Sequence, residues 1–330
     1  MWLVTGATGH IGNVLVRKLL GRGEKVRALI QPNESRDPLK GLDVEAMEGD
    51  VLNVDAVFES MRGIRGVFHL AGVISIMPGP NPFVRKVNVD GTKNILKAAR
   101  ETGVEKVVYT SSIHAIKRVE AGVIDESVPY DMENPYGAYD RSKAEATLEV
   151  LEAAHSGLDA VVACPTGVIG PHDYRGSMMG AVIHDAAAAK PSLYVDGAYD
   201  FVDVRDVADG LINASKTGKR GESYILSGNK ISVRYLLESI REITGRGFFQ
   251  MKIPFDLARF ASYFTPMYYQ LAHATPRFTP YSLEVLQSNS NISHAKATRE
   301  LDYKPRTIHE TLSDTVKWFL EKKRVESRNW

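Results

Sequence analysis

Short apolar runs alternate with amphipathic stretches through the first half of the chain. An apolar run opens the sequence, a helical pattern follows it, and a second apolar run comes next. Repeated alternation of this kind predicts a parallel sheet with right-handed crossovers and helices on both faces. We therefore expect an α/β fold with a Rossmann-type, doubly wound parallel sheet. The predicted strands are 2–4, 25–30, 42–47, 67–70, 106–110 and 160–163, and two of the predicted helices are 89–102 and 139–154.

The pattern changes after about residue 170. A helix of small residues is predicted over 178–189, and residues 201–212 are expected to return to the sheet. Residues 231–281 have a mostly helical pattern. The sequence thus predicts a dinucleotide-binding Rossmann domain over 1–170, which also receives 201–212, and a smaller, mostly helical substrate-binding lobe over 171–330.

Aromatic residues concentrate in one short part of this lobe. Substrate pockets are lined by apolar and aromatic groups, so the segment is either a pocket wall or lid, or the core of a small lobe. The sequence leaves both interpretations open. A membrane-surface role is weaker, because lysine and arginine are sparse there. The residues are Phe255, Phe260, Tyr263, Phe264, Tyr268, Tyr269, Phe278 and Tyr281.

A glycine-rich turn, TGATGHIG, joins the first predicted strand to the first predicted helix. Gly6 permits a tight turn, Gly9 lets a pyrophosphate approach the backbone, and Gly12 allows close packing of helix on strand. The phosphates are expected at the helix N-terminus, where free amides and the helix dipole favour anions. This strand, turn and helix context predicts dinucleotide binding.

Polar residues follow several predicted strands at their carboxyl ends. Asp50 comes after the third strand, and Ser111 and Ser112 come after the fifth. Ligands of doubly wound sheets bind at this edge. We therefore expect these groups to converge on one site.

The segment YGAYDRSK holds two tyrosines and one lysine. Tyr139 and Lys143 are four residues apart and share one face of a predicted helix, whereas the residue four after Tyr136 is Asp140. A nearby ammonium favours a phenolate, so Lys143 is expected to lower the Tyr139 pKa from its usual value of about 10. Such a tyrosine can exchange a proton with a carbonyl oxygen. By itself, the same spacing also fits an ordinary surface helix.

Composition narrows the function classes. Charged residues are 25% and hydrophobic residues 44% of the 330, and the net charge is +1, so there is no general basic excess to suggest nucleic acid. Cys164 is the single cysteine, which excludes an internal disulfide and a multi-cysteine metal site. We expect a cytoplasmic protein without a signal peptide, membrane span or metal.

Taken together, the motifs resemble those of the extended short-chain dehydrogenase/reductases, and among these the dihydroflavonol-reductase-like branch. The resemblance covers nearly the whole chain. The segments that carry it are TGATGHIG, GDV, HLAG, VNVDGTKNIL, YTSS, YGAYDRSK, CPTGVIGP, FVDVRDVADGL, KATRELDYKPR and TLSDTVKWF.

The resemblance implies catalytic roles for three residues. Tyr139 would be the acid/base, Lys143 its partner and a ligand of the nicotinamide ribose, and Ser112 would hydrogen-bond the substrate oxygen. Asn88 would have a structural or water-relay role. The implied cofactor-binding positions are Gly6, Thr8, Gly9, His10, Ile11, Gly12, Gln31, Arg36, Asp50, Val51, Leu70, Ala71, Gly72, Ser111, Tyr139, Lys143, Pro165, Thr166, Gly167 and Val168.

Three further residues are candidates for contact with the substrate: His114, Tyr136 and Tyr174. A hydrogen-bonded wall role for His114 and a packing role for Tyr136 are at least as plausible. Cys164 is expected to be a small buried thiol rather than a nucleophile.

The choice between NAD and NADP is expected to be made after the second strand. An acidic residue there would bind the ribose 2′-hydroxyl and favour NAD, but the strand runs into Gln31, Pro32 and Asn33. The reductase branch usually has an arginine where Gln31 stands. Arg36 and Lys40 follow in the same loop and could bind a 2′-phosphate. We therefore expect NADP, with NAD as the alternative.

Three function classes compete. The first is reduction of a hydrophobic aldehyde or ketone to an alcohol. The second is a nucleotide-sugar epimerase or dehydratase, for which the resemblance implies a diphosphate-binding arginine where this chain has Tyr199. The third is a non-catalytic dinucleotide sensor of the NmrA-like kind, which lacks the tyrosine and lysine pair. The sequence predicts an NAD(P)H-dependent reductase acting on a small-molecule carbonyl substrate.

Family members pair through two helices per subunit, which implies a homodimer built on 89–102 and 139–154. The second helix has apolar residues on two sides. One side would pack on the sheet and the other on the partner. The first side holds Ala146 and Val150, and the second holds Ala144, Leu148 and Leu151.

Overall fold

The chain folds around a parallel sheet that has helices on both faces. The computed structural model describes residues 1–247, 249–271 and 278–326. Its strands are β1 Trp2–Thr5, β2 Val26–Ile30, β3 Glu45–Glu48, β4 Gly66–His69, β5 Lys106–Thr110, β6 Ala160–Pro165, β7 Gly167–Ile169, β8 Ser192–Tyr194, β9 Ala198–Asp203, β10 Ser223–Leu226, β11 Asn229–Ser232 and β12 Gln250–Lys252. Its helices are α1 His10–Gly21, α2 Val54–Ser60, α3 Pro82–Arg85, α4 Gly91–Glu101, α5 Ala138–His155, α6 Met178–Ala187, α7 Val204–Thr217, α8 Val233–Thr244, α9 Phe255–Ser262, α10 Thr265–Leu271, α11 Pro280–Gln287, α12 Ala295–Leu301 and α13 Ile308–Glu326.

Seven strands form one parallel sheet in the order β3–β2–β1–β4–β5–β6–β10. The strand order reverses between β1 and β4, and this switch point is where doubly wound sheets bind their ligands. The Rossmann-type fold predicted from the sequence is confirmed. The seventh strand, β10, was not predicted from the sequence.

Residues 201–212 return to the main sheet as a helix rather than as a strand. β9 pairs with β7 and β11 in a separate three-stranded sheet. α7 then packs against α1 on one face of the main sheet, where Val204, Val207 and Leu211 are fully buried. A domain division at residue 170 stays a prediction.

Two apolar cores lie on opposite faces of the sheet. One contains Ile95 of α4 and Val150 of α5, and the other contains Leu15 of α1 and Leu211 of α7. Each of these four side chains is fully buried. Burial of one such side chain contributes about 1.5–3 kcal/mol, so the two cores hold the strand ends, and the loops that follow them, in fixed positions.

The aromatic residues of the C-terminal part do not share one role. Tyr281 is buried, whereas Phe255 and Phe278 are partly buried on a small core of Val195, Ala258 and Leu283. Neither the pocket interpretation nor the core interpretation describes all of them. Among the described residues, no helix combines the length and apolar character that crossing a bilayer requires. Four other aromatic residues of this segment are more than half exposed: Phe260, Tyr263, Phe264 and Tyr268.

Candidate active site

The turn after β1 has the shape that a dinucleotide requires. Gly6 has φ 68°, a left-handed conformation that favours glycine. A Cβ at Gly6 would lie 2.8 Å from the Ala71 amide nitrogen, so the turn and the end of β4 touch through backbone alone. α1 begins at His10 without a side-chain cap or an acidic residue in its first turn. Free amides at a helix start suit a phosphate group, and the residues present therefore fit the predicted cofactor.

A buried hydrogen-bond chain crosses the switch point. The Thr5 hydroxyl accepts from the amides of residues 70 and 71, at 3.2 and 3.1 Å, so its own proton goes to His69 Nδ1 at 2.7 Å. His69 then donates through Nε2 to Thr92 Oγ1 at 2.9 Å, and Thr92 donates to the Asn88 carbonyl at 2.6 Å. Burial lowers the His69 pKa to about 3, so this imidazole is neutral.

Lys143 is held against the end of β5. Its ammonium donates to the Thr110 carbonyl at 2.7 Å and to the Tyr109 hydroxyl at 3.2 Å. Burial lowers the Lys143 pKa to about 8, which leaves it mostly protonated at neutral pH. A Cβ at Gly72 would lie 3.9 Å from Nζ. The lysine therefore lies beside the loop that follows β4.

The Tyr139 phenol lies near the Ser112 hydroxyl. Burial raises the Tyr139 pKa to about 12, and the neighbouring Ser112 opposes this rise only in part. The lowering of this pKa that we expected from Lys143 is wrong for this structure, because the ammonium donates to Thr110 and Tyr109 of β5 and burial is the largest influence on the phenol. Tyr139 therefore keeps its proton at neutral pH.

The two serines after β5 have different partners. Ser111 Oγ lies 2.6 Å from Thr147 Oγ1 of α5, and both are buried. Thr147 in turn donates to the Lys143 carbonyl at 2.6 Å. Ser112 instead accepts from the His114 amide at 3.2 Å and reaches Tyr139. Ser111 thus fastens the strand to α5, and Ser112 is the serine whose hydroxyl lies at the tyrosine.

Asn88 connects the loop after β4 to α5. It lies in a π-helical turn, Lys86–Asp90, and is buried. Its Oδ1 accepts from the Val73 amide at 2.7 Å, and its Nδ2 donates to the Val73 carbonyl at 3.0 Å and to Ser142 Oγ at 2.9 Å. These contacts favour the structural role over the water-relay role.

His114 and Tyr199 pair close to Asp140 of α5. The Tyr199 hydroxyl lies 2.9 Å from His114 Nε2, and the rings are stacked. Burial lowers the His114 pKa, so the ring is neutral near pH 7. Tyr199 occupies the position at which the resemblance implies an arginine in nucleotide-sugar enzymes, and a phenol there offers a diphosphate no positive charge.

A buried carboxylate on α5 joins the C-terminal lobe to the site. Asp140, next to Tyr139, accepts from the Tyr281 hydroxyl at 2.7 Å and from Arg118 at 3.2 Å. Arg118 lies 3.6 Å over the ring of Tyr136, which favours the packing role for that tyrosine. Sequence reasoning missed Arg118 and the contacts of Asp140. The aspartate directly after Tyr139 was the available signal.

Residues 165–168 pass close to Tyr199. Thr166 donates to Asp200 at 2.6 Å, and a Cβ at Gly167 would lie 2.9 Å from the Tyr199 ring. Cys164 just before them is fully buried, and burial raises its pKa to about 11. The interpretation of Cys164 as a buried thiol is confirmed.

Tyr174 lies over α1. Its hydroxyl accepts from Arg17 at 3.3 Å, and its ring packs edge-on against Trp318 at 5.3 Å. These contacts do not connect it to Ser112 or Tyr139, so they give its predicted substrate role no support.

The loop after β2 contains an acid that sequence reasoning missed. Glu34 bends back, so that its carboxylate accepts from Thr8 Oγ1 at 2.6 Å and from the Gln31 amide at 3.2 Å. The sequence argument for NADP considered residues 31–33, which contain no acid, and left out Glu34. Arg36, the predicted phosphate ligand, is ion-paired with Glu48 at 3.3 Å.

Comparisons with known proteins agree with this geometry. The sequence model of the NAD dependent epimerase/dehydratase family matches residues 2–227. "Sterol demethylase protein B" of Methylococcus capsulatus is 35% identical over 97% of this chain and 98% of its own length. A "putative dihydroflavonol 4-reductase" of Synechocystis sp. is 33% identical over 96% of this chain and 94% of its own length. The crystal structure of gox2253 superposes with a TM-score of 0.83 at 31% identity, covering 98% of this chain and 99% of that chain.

Proposed function

We propose that this protein reduces a carbonyl group to an alcohol. The chain belongs to the NAD dependent epimerase/dehydratase family and is an enzyme of the extended short-chain dehydrogenase/reductase type. One observation carries this proposal. The Tyr139 phenol lies near the Ser112 hydroxyl, with Lys143 one helical turn further along α5, and burial raises the pKa of the phenol so that it keeps its proton at neutral pH. A protonated phenol is the form that a carbonyl reduction consumes, because the product oxygen needs a proton.

The chain's own residues divide the work. Ser112 would hydrogen-bond the carbonyl oxygen and polarise it, and Tyr139 would give that oxygen its proton. Lys143, fixed to β5 by Thr110, would hold the nicotinamide ribose, and the glycine turn would hold the pyrophosphate. NAD(P)H, when bound, supplies the hydride.

We propose a hydrophobic substrate. The names of two relatives refer to a sterol and to a flavonol, which are ring systems without a diphosphate. The alternative, a nucleotide-sugar epimerase or dehydratase, needs a cation for its diphosphate. Tyr199, buried and bonded to His114, occupies that place here, and this observation favours the reductase.

A substrate panel tests the proposal. The protein is incubated with NADH or NADPH and with hydrophobic ketones, aldehydes and nucleotide sugars, and loss of reduced cofactor is followed by absorbance. We expect cofactor oxidation with at least one apolar carbonyl compound and none with the sugars. Isomerised nucleotide sugar without net cofactor change would contradict the proposal.

We propose a homodimer, and the structure changes which side chains of α5 could form its interface. Ala144 is fully buried within the subunit, which leaves Leu148 and Leu151 of the predicted outer side only partly covered. Light scattering at micromolar concentration should give twice the mass of 36.5 kDa. A monomer mass would overturn the dimer. The cytoplasmic location stays a prediction.

A further inference from the structure

The loop after β2 is shaped to present one carboxylate to the glycine turn. Asn33 has φ 63° and the Glu34 amide donates back to the Gln31 carbonyl at 3.1 Å, so the chain reverses immediately after the strand. Glu34 is partly buried, whereas the other residues of 31–37 are exposed. The reversal therefore selects Glu34, the fourth residue after the strand, for the position that usually belongs to the residue directly after it.

Glu34 is held in place from two directions. Thr8, almost fully buried in the glycine turn, donates to one carboxylate oxygen at 2.6 Å, and the Gln31 amide donates to the other at 3.2 Å. Arg175 forms an ion pair with Glu34 and also donates to Thr8 at 2.7 Å. The carboxylate is thus fixed beside the turn that would hold the pyrophosphate.

Arg175 reaches this corner from the other side of α1. His10 Nε2 lies 3.0 Å from the Pro171 carbonyl, and Asn13 donates to the His172 carbonyl at 3.1 Å. These bonds fasten the loop of residues 171–175 across the start of α1. The guanidinium at its end balances the charge of Glu34.

The charges of this corner disfavour a phosphate. Three carboxylates lie here, on Glu34, Glu48 and Asp50. Arg36 is paired with Glu48 and Arg175 with Glu34, while Arg17 donates to the Pro38 carbonyl of the same loop. A 2′-phosphate would have to displace one of these pairs and would face Glu34 at close range. A ribose diol would instead donate its hydroxyl protons to the carboxylate.

We propose that Glu34 accepts hydrogen bonds from the adenosine ribose hydroxyls, and that the enzyme therefore prefers NAD(H) to NADP(H). This reverses the NADP preference that the sequence suggested, since that argument depended on the lack of an acid. The inference rests on the proposed function for the presence of a cofactor, but not for the reaction.

Binding without turnover tests the proposal. The full chain is titrated with NADH and with NADPH, without substrate, by calorimetry. We expect the wild type to bind NADH at least about tenfold more tightly than NADPH. Glu34→Gln should weaken NADH binding by about tenfold, the effect of one lost charge-assisted hydrogen bond, and leave NADPH binding equal or tighter.

A matched control removes the same charge from the same loop. Asp37 is exposed and contacts Ser35 rather than the glycine turn, so Asp37→Asn should leave the ratio of the two dissociation constants unchanged. Thermal unfolding without nucleotide checks that each variant is folded. If Glu34→Gln does not fold, displacement of NADH from the wild type by 5′-AMP and 2′,5′-ADP replaces it, and 5′-AMP should compete better.

The outcomes separate the two proposals. Tighter binding of NADPH by the wild type, equal weakening of both nucleotides by Glu34→Gln, or better competition by 2′,5′-ADP would overturn the role of Glu34 alone. Failure of the wild type to bind either nucleotide would overturn the cofactor role in the proposed function as well.

Discussion

Two regions of the molecule were conspicuous in the sequence but differ in structure. One is the sheet edge, meaning the carboxyl ends of β1, β4 and β5 with the residues packed on them, and the other is the pair of helices α9 and α10. At the sheet edge, Thr5, His69 and Lys143 are buried and each has named hydrogen-bond partners. In the second region, Phe260 of α9 is 65% exposed, and Phe264, in the turn between α9 and α10, is 54% exposed. Residue type alone therefore did not show whether a polar or an aromatic side chain is held in the candidate active site or exposed to solvent.

The difference lies in what fixes each group. At the sheet edge, short strands and backbone hydrogen bonds place a side chain to within one residue, because a shift of one residue would turn it to the other face. On α9 and α10 an aromatic residue can face the protein or the solvent with little change in backbone. Whether such a residue is buried or exposed depends on which neighbours the fold brings to it.

Tyr281 connects the two regions. It follows α10 in the chain, yet its hydroxyl donates to the buried Asp140 of α5 at 2.7 Å. One aromatic residue of the C-terminal cluster thus belongs to the site, while its neighbours on α9 and α10 do not. The following experiments examine this contrast.

The largest effect is expected at the sheet edge. Tyr139→Phe removes the proton donor and should reduce kcat by at least about 100-fold, the usual contribution of a positioned acid, while cofactor binding by calorimetry changes little. Tyr136→Phe is the matched control, because Tyr136 packs under Arg118 through its ring and keeps that ring. Loss of activity in the reverse order would refute the assignment.

A pH dependence tests the protonated state of Tyr139. Reduction consumes the phenol, and with its pKa raised to about 12 the phenol predominates throughout neutral pH, so kcat for reduction should be flat between pH 6 and about 8. Oxidation of the alcohol needs the phenolate and should rise by about tenfold per pH unit in that range. Steady-state rates in both directions measure this. Parallel profiles would show that Tyr139 does not titrate as described.

A smaller effect is expected at the connection between the regions. Tyr281→Phe leaves an oxygen of buried Asp140 without its hydroxyl donor and should lower the free energy of unfolding by about 1–3 kcal/mol. Tyr268→Phe removes the same atom from a side chain that is 61% exposed and should have almost no effect. Urea unfolding of both variants makes the comparison, and equal losses would contradict the link through Tyr281.

The smallest effect is expected on the exposed helices. Phe264→Ser should change the free energy of unfolding by no more than about 0.5 kcal/mol, as is usual for surface substitutions. Phe278→Ser is the contrasting variant, since Phe278 packs on the small core beside Leu283, and it should cost more. A large loss for Phe264→Ser would mean that this surface is covered in solution.

The sequence by itself determined the parallel sheet, the glycine turn and the place of Tyr139 and Lys143 on one helix. These depend on local periods and on glycine conformations, such as the left-handed φ of Gly6, which are properties of neighbouring residues. The choice of Ser112 rather than Ser111 came from the resemblance, and in the structure the two hydroxyls have different partners.

Only the tertiary structure decided the electrostatics and the roles of distant residues. The Tyr139 pKa rises because of burial, which depends on everything packed around the phenol, whereas the sequence showed only one nearby cation. Glu34 reaches the glycine turn because Asn33 reverses the chain, and Arg175 meets it from a loop more than a hundred residues away. Contacts of this kind depend on where the fold brings separate segments together, and spacing along the chain does not record it.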